Sequence, residues 1–254
     1  TMYWAILKYV EENNIDVAPY AESMAVLSSG GAPMPVEIMK KFEQTFDVRI
    51  LEGYGLSETS PISTFCHLQD DSPAGTVGKP IFGVEVRCVD DDDNEVPQGE
   101  RGEVVMRGHN IMKGYYKRPE ATAEAFKNGW FHSGDIGIFD AQGNLQIVDR
   151  KKDMILRGGY NVYPRELEEI LMTHEAVSLV AVIGVPCDKM GEEVKAYIVK
   201  KQGFESVTED DIIIWSKEQF AAYKYPRFVE FRNELPVGGT GKILKRALRE
   251  EIGK

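Results

Sequence analysis

The chain has 254 residues, 43% hydrophobic and 28% charged, with a formal net charge of −11. That is globular composition at the upper size for one core, so two domains are expected, and the acidic balance excludes nucleic acid or anionic lipid as partners held by bulk electrostatics. Cys66, Cys88 and Cys187 are odd in number and lack metal-ligand spacing, which fits a reducing, cytoplasmic compartment, and no apolar run approaches the ~20 residues of a membrane span.

At the N-terminus, TMYWAILKYV lacks the basic-then-apolar layout of a signal peptide and reads as the middle of a domain. Residues 24–28 form an apolar strand that feeds the glycine turn Ser28-Ser29-Gly30-Gly31-Ala32-Pro33. A helix follows from about Pro35 to Phe46, with Ile38, Met39, Phe42 and Phe46 on one face and Glu37, Lys40, Lys41 and Glu43 opposite. A second strand-to-turn junction, ILEGYGLSETSP, completes a pattern of α/β layers. From Gly83 to Val148 the segments become short, alternating and glycine-punctuated, which predicts a small β-barrel or sheet. Within it, Asp90–Asp93 with Asn94 lacks the spacing and closing Glu of an EF-hand, so a solvated hairpin turn is expected there rather than a calcium loop. The charged segment Asp149–Asp153 marks the next boundary. Beyond it the pattern is α+β. A helix starts at Pro164 with Leu167, Ile170 and Leu171 inward. Strands cover 177–185, 194–199 and 228–231, a helix covers 209–220, and a basic helix covers 243–252.

Four glycine-flanked segments carry candidate chemistry. In Ser29-Gly30-Gly31-Ala32-Pro33, small residues either make a tight turn or let a flat ring or phosphate approach the backbone. In Gly53-Tyr54-Gly55-Leu56-Ser57-Glu58-Thr59, Ser57 can donate to a phosphate oxygen and Glu58 is a hard oxygen ligand suited to Mg²⁺. A hydrolase nucleophile elbow would need Gly where Thr59 stands. His132-Ser133-Gly134-Asp135 places a carboxylate where it could accept from two ribose hydroxyls, with Arg150 able to reach a ribose or phosphate. The alternative is a surface turn with an exposed ion pair. Gly238-Gly239-Thr240-Gly241-Lys242 fails the phosphate-loop pattern, since Pro236 and Ile243 stand where Gly and Ser/Thr are required. What remains is a lysine on a glycine hinge, able to bring a cation to a carboxylate and withdraw it.

Taken in this order, these segments resemble the adenylate-forming family of acyl-CoA synthetases, luciferases, coumarate ligases and peptide-synthetase adenylation domains. The resemblance extends to Thr76–Pro80, to Gly114-Tyr115-Tyr116 with Pro119–Thr122, and to Asp149–Asp153 through Gly158-Gly159-Tyr160, and so covers about residues 2–250. It implies a fold class of α/β and α+β: the end of a large N-terminal α/β domain (1–82), a β-barrel-like subdomain (83–149), a hinge (150–153) and a small mobile α+β C-terminal domain (154–254). It also implies a two-step reaction, in which a carboxylate attacks ATP to give acyl-adenylate and pyrophosphate, and CoA then displaces AMP. By position, Gly30, Gly31, Ala32 and Pro33 would line the adenine, and Gly53, Tyr54, Gly55 and Leu56 the adenine and acyl carbonyl. Ser57 would touch the α-phosphate, Glu58 would hold Mg²⁺ and Asp135 the ribose, with Ile147 and Arg150 near the nucleotide. Lys242 would act in adenylation and Lys152 as hinge, while Gly158 and Gly159 would admit the pantetheine arm of CoA.

GYGLSETSP and KDMILRGGYNVYPRE are most similar to bacterial long- or medium-chain fatty-acid–CoA ligases. An acyl-AMP ligase that loads a carrier protein, an aryl- or coumarate-type CoA ligase, and a nucleotide-binding module without chemistry are the competing readings. The implied partners are small molecules (fatty acid, ATP, CoA), with at most peripheral membrane contact and with a homodimer compatible. The family's early phosphate-binding loop is missing from the chain, so the expectation is a portion of a longer enzyme that is inactive alone.

Overall fold

The computed structural model describes residues 2–32, 34–70, 72–239 and 242–252. The chain divides into two compact units, Thr1–Ile147 and Val148–Lys254. The first opens with helix α1 (Met2–Asn13), a single turn α2 (Ala18–Ala21) and strand β1 (Leu27–Gly30). The strand expected at 24–28 thus begins three residues later and runs through Ser28-Ser29-Gly30. Pairing explains the shift, because β1 lies parallel to β2 (Ile50–Tyr54) with Leu27 opposite Ile50 and Gly30 opposite Gly53. Between them α3 (Val36–Phe46) buries Met39, Phe42 and Phe46, as its periodicity predicts, and ends at a left-handed Asp47. Phe42 meets Tyr3 edge-on at 4.9 Å and stacks on Phe46 at 4.4 Å, so α1, an element not foreseen, shares a core with α3 and with Ile50 of β2. Strands β3 (Thr64–Phe65) and β4 (Lys79–Pro80) complete a four-stranded sheet in the order β1-β2-β3-β4.

A second sheet follows, made of β5 (Val84–Val89), β6 (Gly102–Gly108), β7 (Phe126–Lys127), β8 (Trp130–Phe139) and β9 (Leu145–Arg150), with helix α4 (Pro119–Ala125) preceding β7. The order is β5-β6-β8-β7, with β9 also paired to β8. Cys88, Val104, Met106, Phe131 and Leu145 form its core. The acidic run after β5 is a turn, as expected: Asp90 Oδ1 accepts from the Asp92 and Asn94 amides, both at 2.9 Å. These backbone bonds hold the Asp90 carboxyl below the usual carboxylate range.

The second unit holds β10 (Ile155–Arg157), β11 (Tyr160–Val162), α5 (Pro164–Leu171), β12 (Val177–Cys187), β13 (Gly191–Lys200), α6 (Glu209–Gln219), β14 (Phe228–Phe231) and α7 (Lys245–Ile252). Its sheet runs β11-β10-β13-β12, with β14 parallel to β13. Side chains alternate across the long β12–β13 hairpin. Val180, Val182, Val194, Ala196 and Ile198 pack with Leu167, Leu171 and Ile212 of α5 and α6. Ala181, Ile183, Val185 and Tyr197 pack with Leu248 of α7 on the other face. Helix α6 starts at a reciprocal cap between Thr208 and Asp211, whose amides each bond the other's side chain at 2.9 and 3.2 Å. Helix α7 begins two residues later than expected, because Ile243 is held extended by a bridge to Val237. No helix among the described residues is long and apolar enough to cross a membrane.

Leu171 is fully buried at the α5–sheet contact, so Leu171→Ala should lower stability by about 2–5 kcal/mol, measured as a shift in urea unfolding. Burial, aided by the charge of Glu95, pushes the Cys88 thiol up to about 12. A thiol-specific dye at neutral pH should therefore label Cys187, which is partly exposed, well before Cys88 and Cys66, which are buried. Simultaneous labelling of all three in the folded chain would contradict this packing.

Candidate active site

The end of β2 turns sharply into the glycine-rich segment. A Cβ on Gly55 would lie 1.9 Å from the Pro61 carbonyl oxygen, so only glycine lets the chain fold back there. The following turn, Ser57–Thr59, is riveted by Thr59, whose hydroxyl accepts from the Leu56 amide at 2.9 Å and donates to the Leu56 carbonyl at 3.0 Å. From the segment after β6, Asn110 Nδ2 donates to the carbonyls of Thr59 (2.9 Å) and Ile62 (2.7 Å), and the Met112 amide donates to the Glu58 carbonyl at 2.8 Å. The loop is thus fixed from within and from a neighbouring segment. The Glu58 carboxylate accepts from the Tyr115 hydroxyl at 2.8 Å, and the Tyr115 amide is itself held by Thr122 Oγ1 at 2.9 Å. Burial, then the adjoining Glu58 carboxylate, raises the Tyr115 phenol above its ordinary value. Ser57 is exposed and Glu58 half-buried.

Asp135 lies in β8 where its pairing with β6 slips out of register. The residue is 7% exposed, and its carboxylate accepts from the Tyr54 hydroxyl at 2.6 Å. Tyr54, Leu56 and Ile147 pack against the core formed by Val104, Met106 and Leu145. The first unit therefore brings Tyr54, Leu56, Asp135 and Ile147 to one place, with Gly30 and Gly53 paired on the adjoining strands. Gly31 and Ala32 continue from β1 and are exposed. Pro33 lies outside the described residues. A nearly buried carboxylate beside strand ends without side chains can accept hydrogen bonds from hydroxyl groups that lie against the backbone.

In the second unit Asp149 is buried and ties two segments. Its carboxylate accepts from the Arg150 amide (2.7 Å) and from the Arg165 amide in the first turn of α5 (2.8 Å). Arg150 is exposed, and so is Lys152 in the turn Lys151–Asp153, where Asp153 accepts from Arg249 of α7 at 2.8 Å. Gly158 and Gly159, with φ of +57° and +84°, form the two-residue turn of the β10–β11 hairpin. Tyr160 beside them stacks on Tyr223 at 4.7 Å. Lys242 is exposed on the returning limb of another hairpin, closed by the Gly238 amide on the Lys242 carbonyl and the Leu244 amide on the Pro236 carbonyl, both at 2.8 Å. Helix α7 beyond it is pinned by Lys245 on Glu168 at 2.8 Å. Arg150 at the end of β9 and Lys152 just after it, the glycine pair, and Lys242 thus lie on three separate segments. Sequence reasoning gave no role to Thr59, Asn110, Tyr115 or Asp149. Tyr115 stood within a visible motif, but its partner is 57 positions away.

A family model described as AMP-binding enzyme matches residues 1–116, and one described as AMP-binding enzyme C-terminal domain matches residues 166–242. The chain is 43% identical over 251 residues to a long-chain-fatty-acid–CoA ligase of Escherichia coli O6:H1, which covers 99% of this chain and 44% of that protein. It is 40% identical over 256 residues to a feruloyl-CoA synthase of Amycolatopsis sp, covering all of this chain and half of that protein. Among solved structures, ATP-bound MatB from Rhodopseudomonas palustris superposes with a TM-score of 0.85 at 34% identity, over 89% of this chain and 45% of that one. The chain thus spans about half the length, or less, of the relatives it matches.

Tyr54→Phe removes one donor from the nearly buried Asp135 carboxylate. The expected cost is about 1–3 kcal/mol of stability, read from urea unfolding, and an unchanged midpoint would mean that the 2.6 Å contact contributes nothing.

Proposed function

The chain belongs to the AMP-binding, adenylate-forming enzyme family, and from that premise we propose that it is the nucleotide-ribose and lysine-bearing part of an ATP-dependent fatty-acid–CoA ligase. The observation that carries the reading is Asp135, a nearly buried carboxylate oriented by Tyr54 beside the Gly30–Gly53 strand pair. In this reading Asp135 accepts from the ribose hydroxyls, Gly30–Pro33 and Gly53–Leu56 lie along the adenine, and Ile147 adds an apolar contact. Ser57, exposed at the start of its turn, donates to the α-phosphate. Glu58 would hold Mg²⁺. A single carboxylate on a braced loop fits an ion whose other ligands are substrate phosphates and water. When bound, that ion offsets phosphate charge.

Lys242 then faces the task that its exposed hairpin suits: bringing a cation to two anions that must meet, the acid's carboxylate and the α-phosphate. Attack on that phosphorus gives acyl-adenylate and pyrophosphate. The thiol of CoA next attacks the acyl carbonyl, forming acyl-CoA and releasing AMP. Gly158 and Gly159 present no side chains where the thin pantetheine arm would pass, and Arg150 lies near the nucleotide. Lys152, in its exposed turn, is assigned the hinge between residues 1–149 and 154–254. The likeness to long-chain-fatty-acid–CoA ligases supports a fatty acid as substrate. The likeness to a feruloyl-CoA synthase supports an aryl acid as the second reading. The three free cysteines support a cytoplasmic setting.

An enzyme containing this chain, incubated with ATP, Mg²⁺, CoA and acids from acetate through long-chain fatty acids to ferulate, should yield acyl-CoA with preference for fatty acids. A ferulate preference selects the second reading, adenylate without thioester points to carrier loading, and no AMP from any acid removes the proposal. In the same enzyme Lys242→Ala should slow adenylation ~10²–10³-fold while thioester formation from supplied acyl-adenylate is largely spared. Equal loss of both half-reactions would show that Lys242 has no such division of labour.

A further inference from the structure

The strand that carries Asp135 is irregular at that residue. Between the pairs Val105–His132 and Glu103–Ile136, β8 advances further than β6, so Ser133, Gly134 and Asp135 bulge out of the ladder, with Gly134 at φ +72°. Residues in a bulge lose their ladder partners, and bulges beside functional sites re-aim a side chain. A buried amide without a partner is costly, and here side chains replace the ladder. The Gly134 amide donates to Glu103 Oε1 at 3.2 Å. The Asp135 amide donates to Ser133 Oγ at 3.0 Å, and the Ser133 hydroxyl donates to the Val104 carbonyl at 2.6 Å. Glu103 and Ser133 are both buried. The second Glu103 oxygen lies 3.5 Å from His132 Nδ1, and His132 Nε2 lies 3.7 Å from Asp93, with the imidazole side chain only 8% exposed.

We infer that Glu103 and Ser133 are positioning residues for Asp135. Together they form a side-chain frame that substitutes for the missing ladder bonds and sets the direction of the Asp135 carboxylate. The Tyr54 hydroxyl closes the frame from β2. Neither frame residue needs to touch the ligand. The inference rests on the reading of Asp135 as a ribose acceptor.

The test uses the 254-residue chain, with amide exchange followed residue by residue by NMR and nucleotide binding followed by calorimetry. Glu103→Ala should speed exchange at Gly134 by about tenfold or more and leave the β5–β6 ladder protected. Glu103→Gln, which keeps a carbonyl acceptor, should restore most of the protection. If Glu103→Ala loses protection throughout and is unfolded, Ser133→Ala gives the same test at Asp135. The second readout is the preference for AMP over 2′,3′-dideoxy-AMP. The frame variants should weaken AMP by about tenfold and leave the dideoxy compound unchanged, with Glu103→Gln again restoring the difference. Unchanged exchange at Gly134 and Asp135 overturns the frame. Faster exchange with the AMP preference intact overturns its positioning role. A wild-type chain that does not distinguish the two nucleotides removes the ribose assignment itself, a failure that the exchange data keep separate from that of the frame.

Discussion

The hydrogen bond from the Tyr54 hydroxyl to the Asp135 carboxylate joins the two sheets of the first unit. Tyr54 ends β2 in one sheet and Asp135 sits in the bulge of β8 in the other, 81 positions along the chain. Each end is prepared by different local physics. At Tyr54 the preparation is a sharp turn that only glycine permits at position 55. At Asp135 it is a ladder defect made good by side chains. A charged acceptor shielded from water makes the bond strong, and the same shielding makes its loss costly. The loop bearing Ser57 and Glu58 is positioned from this junction, because it leaves β2 immediately after Tyr54 and is clamped by Asn110 and Met112.

The second unit follows another logic. Its sheet is covered on both faces, by α5 and α6 on one side and α7 on the other. The residues proposed to act there stand on turns, and the turns are braced by charge. Asp149 spans the end of β9 and the start of α5, Arg249 reaches Asp153, and Lys245 reaches Glu168. Ion pairs of this kind contribute little when fully exposed. These are partly buried, with Asp153 and Lys245 largely covered, and so they restrict where the neighbouring turns can go.

Much of this architecture was legible from residue order. The apolar face of α3 and the proline start of α5 are local patterns that appear where expected, and the strands expected at 177–185 and 194–199 appear as β12 and β13, with β12 ending two residues later and β13 starting three residues earlier. The misplacements share one cause. Strand β1 extends through small polar residues because β2 pairs with it, and Ile243 stays out of α7 because Val237 pairs with it. Pairing is non-local, and composition cannot encode it. Within the site, motif order pointed to Asp135 and Glu58, but the hydroxyls that bond them come from Tyr54 and Tyr115, 81 and 57 positions away, and Glu103 holds the neighbouring Gly134 amide from 31 positions away. The bulge in β8 has only a faint signature, a Gly inside a strand.

The covered sheet of the second unit has a consequence for how its sequence can vary. With Val182, Ile183, Val194 and Ala196 fully enclosed, changes at the buried positions of β12 and β13 disturb packing on one face or the other. The Gly158–Gly159 turn carries no side chains and Lys242 is exposed, so both lie outside that enclosure. Selection can therefore change what these exposed positions display while the enclosed strands keep their packing.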